Sequence, residues 1–493
     1  MRPATRPPND ERVEDASTWS YATWLAAAQR EESFNRIAEA TAAYQAALRL
    51  NPTGMEALSG LARISARMLD HEGAIEWSRR AAHLHQDDLE SHLQLASHLQ
   101  DARQLDEASN VLDALPGEDA RTCAARGTCM ILQGHMNEGM RWLRRAVELD
   151  AHSCEVRTAL GIGFWRCHKR MAAQRELEIA RSLDPQNMHA RFVLQHLLLE
   201  LGNFSAGYAD TAAFDAIYPP ALTGRRWQGQ PIAGKRLLLY DQHGLGDTLQ
   251  MVRYVEVCAE LGAQVHLIVR RAMLPLLCTL RGLTGISAMD EPLPEFDFQA
   301  RLLDLVAIFR HAPASLPQHI PYLSAEPARV ERMARELAGL PRPWIGVAWR
   351  GNLRQKDGLI RTCTVDDLRP LSKLQGSLVS LQRDASHEEI EALGAIDVAG
   401  LDGDGAFLDS AAVIRLLDLV ISIDTSVAHL AGALGARVLL LLPYWSDWRW
   451  MADRSDTPWY PGMRLFRQER PHDWSAAVVA VVRALTSAEI ERI

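Results

Sequence analysis

A helical solenoid followed by two doubly wound α/β domains is the fold class that this sequence predicts, and three observations carry it. The first part of the chain repeats with a period of 34 residues. After Tyr218 the helical period stops, and strand-like apolar runs alternate with helical patterns. That alternation occurs twice, with a break near residues 325–342, and each series reads as a parallel sheet with crossover helices. A chain of 493 residues exceeds one ordinary core and has room for several domains.

The period is carried by "AALRLNP", "AAHLHQ", "LDALPG", "AVELDA" and "ARSLDP". Their marker leucines are Leu50, Leu84, Leu115, Leu149 and Leu183, at steps of 34, 31, 34 and 34. One copy is therefore three residues short. Small residues recur in register at Ala40, Ala74, Ala108, Gly139 and Ala173, where paired helices must approach closely, and Pro52 and Pro185 follow second helices. This pattern resembles the tetratricopeptide repeat. About five repeats are expected over 20–190, with a degenerate pair reaching 217. Such units bury their apolar faces only against neighbours and leave a concave groove, which implies a protein partner without naming it.

Composition narrows the function classes. A formal net charge of −9 without a long basic run argues against nucleic acid as the main partner. The seven cysteines form no CxxC pair and read as reduced thiols of a cytoplasmic protein. HExxH is absent, and no metal or cofactor is expected. The Pro-rich, charged start "MRPATRPPNDERVEDAS" has no apolar core and reads as a disordered tail (1–18), not a signal peptide. No segment reaches membrane-spanning length, although peripheral membrane association stays open.

"YPPALTGRRW" (218–227) marks the boundary between the repeats (19–217) and the first α/β domain (218–342). There "KRLLLYD", "AQVHLIVR" and "GISAMD" read as strands, "DTLQMVRYVEVCAELG" (247–262) and "AMLPLLCTLRG" as helices. In the second domain (343–493) the strands are "PWIGVAWRG", "GSLVSLQ", "LLDLVISID" and "RVLLLLP", and "AAVVAVVRAL" (476–485) is a closing helix. Two such domains leave a cleft outside the carboxyl ends of their strands, where ligands bind.

Two loops at strand ends stand out. "DQHGLGD" (241–247) has Gly244 and Gly246 in a strand-to-helix turn, followed by Asp247. Asp247 has two readings: a carboxylate capping a helix N-terminus, or a base at the cleft mouth that takes the proton of an acceptor hydroxyl. "SIDTSVAHLAG" (422–432) places Asp424, Thr425 and Ser426 at a strand end and helix start, where hydroxyls and free N–H groups make an anion site. His429 lies one turn beyond Thr425. The aromatic stretch 444–460 reads chiefly as packing, with Asp447, Arg449 and Asp453 expected to pair with Arg454. "DGD" (402–404) reads as a turn.

Taken in order, "GLGDTLQMVRY", "WIGVAWRGN", "VSLQ", "SIDTSVAHLAGALG" and "PYWSDWRWMADRSDTPWYPGMRLFRQ" resemble glycosyltransferase family 9, the ADP-heptose:lipopolysaccharide heptosyltransferase-like proteins. With the repeats, the chain resembles bacterial proteins that carry tetratricopeptide repeats ahead of such a domain. The resemblance implies a GT-B module of two Rossmann-like domains, the first for the acceptor and the second for the donor. It implies Asp247 as catalytic base. It implies a donor-binding set of Asn352, Gln382, Asp424, Thr425, Ser426 and His429, with Lys356 or Arg361 meeting the diphosphate. Ser426 stands where the heptosyltransferases often carry glycine, and the resemblance does not extend to the heptose of the donor.

The expected function is transfer of a sugar from a nucleotide-diphosphate sugar to a hydroxyl acceptor, inverting and independent of metal. The repeats would recruit a protein or glycan acceptor or a partner. The alternative is a repeat scaffold with a degenerate, non-catalytic transferase domain.

Overall fold

The computed structural model describes residues 19–34, 36–353, 358–403 and 406–486. The expected tail at 1–18, Lys356 and Asp404 lie outside the described residues. The chain divides into two compact units, one ending at Asp150 and the other beginning at Ala151.

The first unit is built of antiparallel helix pairs: Tyr21–Ser33 with Ile37–Leu50, Met55–Arg67 with His71–Leu84, Leu89–Asp101 with Leu105–Asp113, and Ala120–Leu132 with Met136–Leu149. The short copy is the third pair, whose second helix has 9 residues where the other second helices have 14. The deletion therefore shortens a helix, and the next hairpin turn arrives three residues early. Those turns carry a left-handed residue at the same steps as the marker leucines, at Leu69, Arg103 and Gly134, and again at His168 and Gly202 in the second unit. Ala40, Ala74 and Ala108 are fully buried where paired helices cross. At Gly139 a methyl group would come within 2.6 Å of the Gly127 carbonyl oxygen, so this crossing admits glycine only. The marker leucines Leu50, Leu84 and Leu149 are exposed at helix ends; they report the period and not the core. The result is a tetratricopeptide-like solenoid.

The second unit begins with the same architecture. Cys154–Arg166 pairs with Arg170–Leu183, and Met188–Glu200 is followed by the short helices Phe204–Gly207 and Thr211–Ile217. Two parallel sheets follow. The first contains β1 (Arg236–Tyr240), β2 (Gln264–Val269), β3 (Leu283–Ala288) and β4 (Phe298–Arg301), in the order β3-β2-β1-β4. The second contains β5 (Trp344–Ala348), β6 (Ser377–Ser380), β7 (Leu419–Ile423), β8 (Val438–Leu442) and β9 (Met463–Arg467), in the order β6-β5-β7-β8-β9.

The second sheet shows why its strands read as unbroken apolar runs. Ile345, Val347, Leu419, Ile421, Leu439 and Leu441 face a core closed by Trp474 and by Val478 and Val481 of the helix Ser475–Thr486. The alternate residues Trp344, Ala348, Val420, Val438, Leu440 and Leu442 join a second core on the other face. Both faces are buried, so the sequence does not alternate with polar residues. The second core also takes in β1 and β2 of the first sheet and Leu199 and Phe204 of the last repeat.

Four sequence readings change, the first being the helix expected over 272–282, which is only the turn Arg271–Met273 and the short helix Leu274–Leu277. β4 and β9 were not expected. β4 carries Gln299 and Arg301, both buried, and Arg301 is balanced by Asp215 at 2.5 Å and Asp304 at 2.7 Å; an ion-paired core position does not look apolar. β9 places Arg464 and Arg467 among apolar residues in "MRLFR". The single helix expected over 247–262 is two, Leu245–Met251 and Tyr254–Glu260. The break lets Arg253 turn inward, where it donates to the Trp459 carbonyl oxygen at 2.8 Å and to Tyr322 Oη at 3.1 Å.

Candidate functional site

Each sheet reverses its strand order once, between β1 and β4 in the first and between β5 and β7 in the second. Such switch points open the crevices in which α/β proteins hold ligands. "DQHGLGD" follows β1, "WRGN" follows β5, and "DTSVAH" follows β7. All three stretches singled out in the sequence therefore sit at switch points.

The first and third of them touch. The helices Leu245–Met251 and Ser426–Ala433 pack together so closely that a methyl group on Gly246 would lie 2.8 Å from His429 Cδ2 and 3.6 Å from Ser426 Cα. Neither Gly244 nor Gly246 has a positive φ. The expectation that these glycines serve a sharp turn is thus corrected: Gly246 is there for close approach. Asp247 is not the N-cap residue either. Gly244 is the N-cap, and Asp247, in the third helical position, reaches back to accept from its N–H at 2.8 Å through Oδ2. Its Oδ1 accepts from Arg449 Nη2, and the side chain keeps 26% exposure.

Arg449 is the residue the sequence reading placed wrongly. It does not join a group around Arg454, because Arg454 holds Asp456 at 2.8 Å and Asp453 meets Arg170 at 3.4 Å. Arg449 donates from Nε to Gln250 Oε1 at 2.8 Å and from Nη1 to Asp447 Oδ1 at 2.9 Å. Burial opposes ionisation of Asp447, but the Arg449 charge and N–H groups outweigh it and hold the carboxyl below its ordinary range. The D-x-R spacing at 447–449 was visible; its partner on the first sheet was not.

On the second sheet Thr425 is the N-cap of Ser426–Ala433, so the first N–H groups of that helix are directed at the crevice. Asp424 is buried, and burial raises its pKa against the pull of Arg361. Arg361 ends the short helix Gly358–Arg361 and donates from Nη1 to the Asp424 carbonyl oxygen at 3.2 Å. Of the two cations open in the sequence, Arg361 lies at this loop and Lys356 falls outside the described residues. His429 is buried, stacks on Trp450 with ring centroids 5.4 Å apart, and its Nδ1 lies 2.9 Å from Tyr460 Oη. Burial, helped by Arg449, lowers its pKa to about 3. His429 therefore offers a hydrogen bond and not a positive charge. Burial likewise lowers His243, in the first loop, to about 4, with Asp247 opposing.

Two other expected donor residues have different surroundings. Asn352 is exposed at the start of its loop. Gln382 is not turned to the crevice: its Oε1 accepts from the N–H groups of Trp349 and Arg350 at 3.1 and 2.9 Å, and its Nε2 donates to Arg350 O and Asp384 Oδ1 at 3.2 and 2.5 Å. Its hydrogen-bonding capacity goes to fixing the turn after β5. In "DGD", Asp402 accepts from the N–H groups of Asp409 and Ser410 at 2.8 and 3.0 Å and so caps the helix Leu408–Leu416.

The aromatic stretch is packing, as its sequence implied. Trp450, Trp459 and Tyr460 are fully buried. Trp448 meets Phe204 and Tyr208 of the last repeat at 5.8 and 6.0 Å, and Trp445 Nε1 donates to Arg166 O at 2.9 Å. The loop that presents Arg449 is thus clamped by the repeats of its own unit. A cavity of about 930 Å³ lies at the other end of the helix Ser426–Ala433, lined by Ile320, Pro321, Val330, Leu434 and Tyr460. It is not where Thr425 and Asp247 are.

No family model matches the chain. Protein FlbA of Caulobacter vibrioides is 25% identical over 503 residues, covering 94% of this chain and 83% of that protein. Among solved structures, a thermophilic TPR protein of Thermus thermophilus is 22% identical over 36% of this chain and 100% of its own, with a TM-score of 0.32. A tetratricopeptide repeat protein of Parabacteroides merdae is 12% identical over 43% of this chain and 82% of its own, with a TM-score of 0.36. At these scores the likenesses carry no argument about function. No described helix is long and apolar enough to cross a membrane.

Proposed function

We propose that residues 218–493 are a GT-B glycosyltransferase module, similar to family 9, that transfers a sugar from a nucleotide-diphosphate donor to a hydroxyl acceptor. The observation that carries this reading is the contact of Gly246 with His429 and Ser426. It brings a carboxylate from one switch point beside a helix N-terminus from the other. The donor diphosphate would lie on the N–H groups after Thr425, with Ser426 and Arg361 beside it. The acceptor oxygen would attack the anomeric carbon as the bond to the diphosphate oxygen breaks, with inversion. The acceptor proton would pass to Asp247, and the departing negative charge would meet the helix terminus and Arg361. The repeats would hold a protein or glycan acceptor or a partner.

A second reading, a non-catalytic repeat scaffold, is favoured by one set of contacts. Both oxygens of Asp247 are engaged, and Gln382 is committed to backbone. Calorimetric titration of the full chain with a panel of nucleotide sugars separates the two. Binding that Ser426→Asp abolishes, by setting a carboxylate against the phosphates, supports the transferase. No binding to any member, or equal binding by Ser426→Asp, defeats the donor site.

A further inference from the structure

Arg449, which the reaction above leaves unused, links the loop after β8 to the helix that carries Asp247. It is buried in the turn Trp448–Trp450 after β8. Two of its side-chain partners, Asp247 and Gln250, belong to the helix Leu245–Met251; the third, Asp447, belongs to its own loop. Its neighbour Trp450 stacks on His429, and its charge acts on both Asp424 and His429.

This arrangement contains a conflict. One guanidinium faces two carboxylates, so the cluster is net negative beside the place where a diphosphate is to bind. The carboxylate that is to accept a proton is also held by that guanidinium. Exchange of a single partner frees the carboxylate and gives the phosphate a cation to face. Resting on the donor site proposed above, we propose that Arg449 is a donor-binding residue that changes partner when the donor arrives: its Nη2 leaves Asp247 for a phosphate oxygen, and Asp247 Oδ1 becomes free for the acceptor hydroxyl. The contacts of Nε with Gln250 and of Nη1 with Asp447 persist, so the guanidinium keeps its seat and Nη2 changes only the oxygen to which it donates. A planar fork with several N–H donors suits such a handover, whereas a point charge does not.

The test is a double-mutant cycle read by calorimetry, with ADP, GDP, UDP and CDP as probes and the matching nucleosides as controls, on the full chain. If the parent binds none of them, the donor site fails and the exchange fails with it. With a binder found, Asp247→Asn is expected to take the diphosphate about tenfold more tightly, because the competing carboxylate is gone, and the nucleoside unchanged. Arg449→Gln is expected to lose about tenfold or more on the diphosphate, and Asp247→Asn to add nothing in that background. Arg449→Lys serves in the same cycle should Arg449→Gln fail to fold. Unchanged or weaker diphosphate binding by Asp247→Asn overturns the exchange and leaves the donor site standing. So does a gain that persists without the arginine, since that is simple repulsion.

Discussion

Gly246 and His429 sit face to face, with room between them for hydrogen and not for a methyl group: a Cβ at 246 would be 2.8 Å from His429 Cδ2. The imidazole cannot step aside, because Trp450 stacks on it and Tyr460 holds its Nδ1. Gly246→Ala therefore sets a helix-propensity gain, at most about 1 kcal/mol, against overpacking of about 1–3 kcal/mol. Net destabilisation is expected in urea unfolding. Gly244→Ala meets only Asp247 Oδ2, at 3.1 Å, and is expected to cost less. Equal stability of Gly246→Ala and parent would show that the two helices are not held at this distance.

Asp247 combines a structural contact with the proposed chemistry, and Asp247→Asn separates them. The asparagine carbonyl can still accept from Gly244 N–H, and Arg449 keeps Asp447. Stability is expected to fall by about 1 kcal/mol, and turnover with a cognate donor by about a hundredfold or more. A variant that melts far earlier would assign Asp247 to the fold; one that turns over like the parent would remove it from catalysis.

Acid stability should report His429. Above its ordinary pKa of 6.5 neither the folded nor the unfolded chain carries the proton. As pH falls from 6.5 toward about 3, the unfolded chain takes up a proton that the folded one refuses. Stability from this residue is therefore lost on acidification, by about 1.4 kcal/mol per pH unit. Urea unfolding across this window is expected to be shallower in pH for His429→Gln than for the parent, by about one proton. Identical slopes would mean that His429 is solvated in the folded chain.

Truncation should respect the compact unit and not the composition boundary. Residues 151–493 retain Phe204 and Tyr208 on Trp448, and Arg166 on Trp445, and are expected to stay soluble and to melt cooperatively. Residues 218–493 expose Trp448 and Trp459, and are expected to aggregate. A soluble, cooperatively melting 218–493 would show that the last repeats are dispensable to the fold of the α/β part.

Much of this protein is local and was legible in the chain. The 34-residue period, its one short copy, the buried alanines and the two series of strands depend on residues a few positions apart. Both candidate loops could be found in the same way, because strand ends and helix starts are written in adjacent residues. The strand β4 escaped because its core position is a charged arginine, and Arg301 is tolerable there only through Asp215 and Asp304.

The sequence by itself determined the repeat, the alternating α/β pattern and the two loops, since backbone periodicity and capping are properties of near neighbours. Only the tertiary structure decided that Gly246 serves close approach, that His429 is held neutral by burial, that Gln382 fixes a turn, and that Arg449 holds Asp247 from 202 residues away. The physical reason is the same in each case. Burial and charge pairing depend on which distant segments pack together, and nothing in the spacing along the chain records that choice.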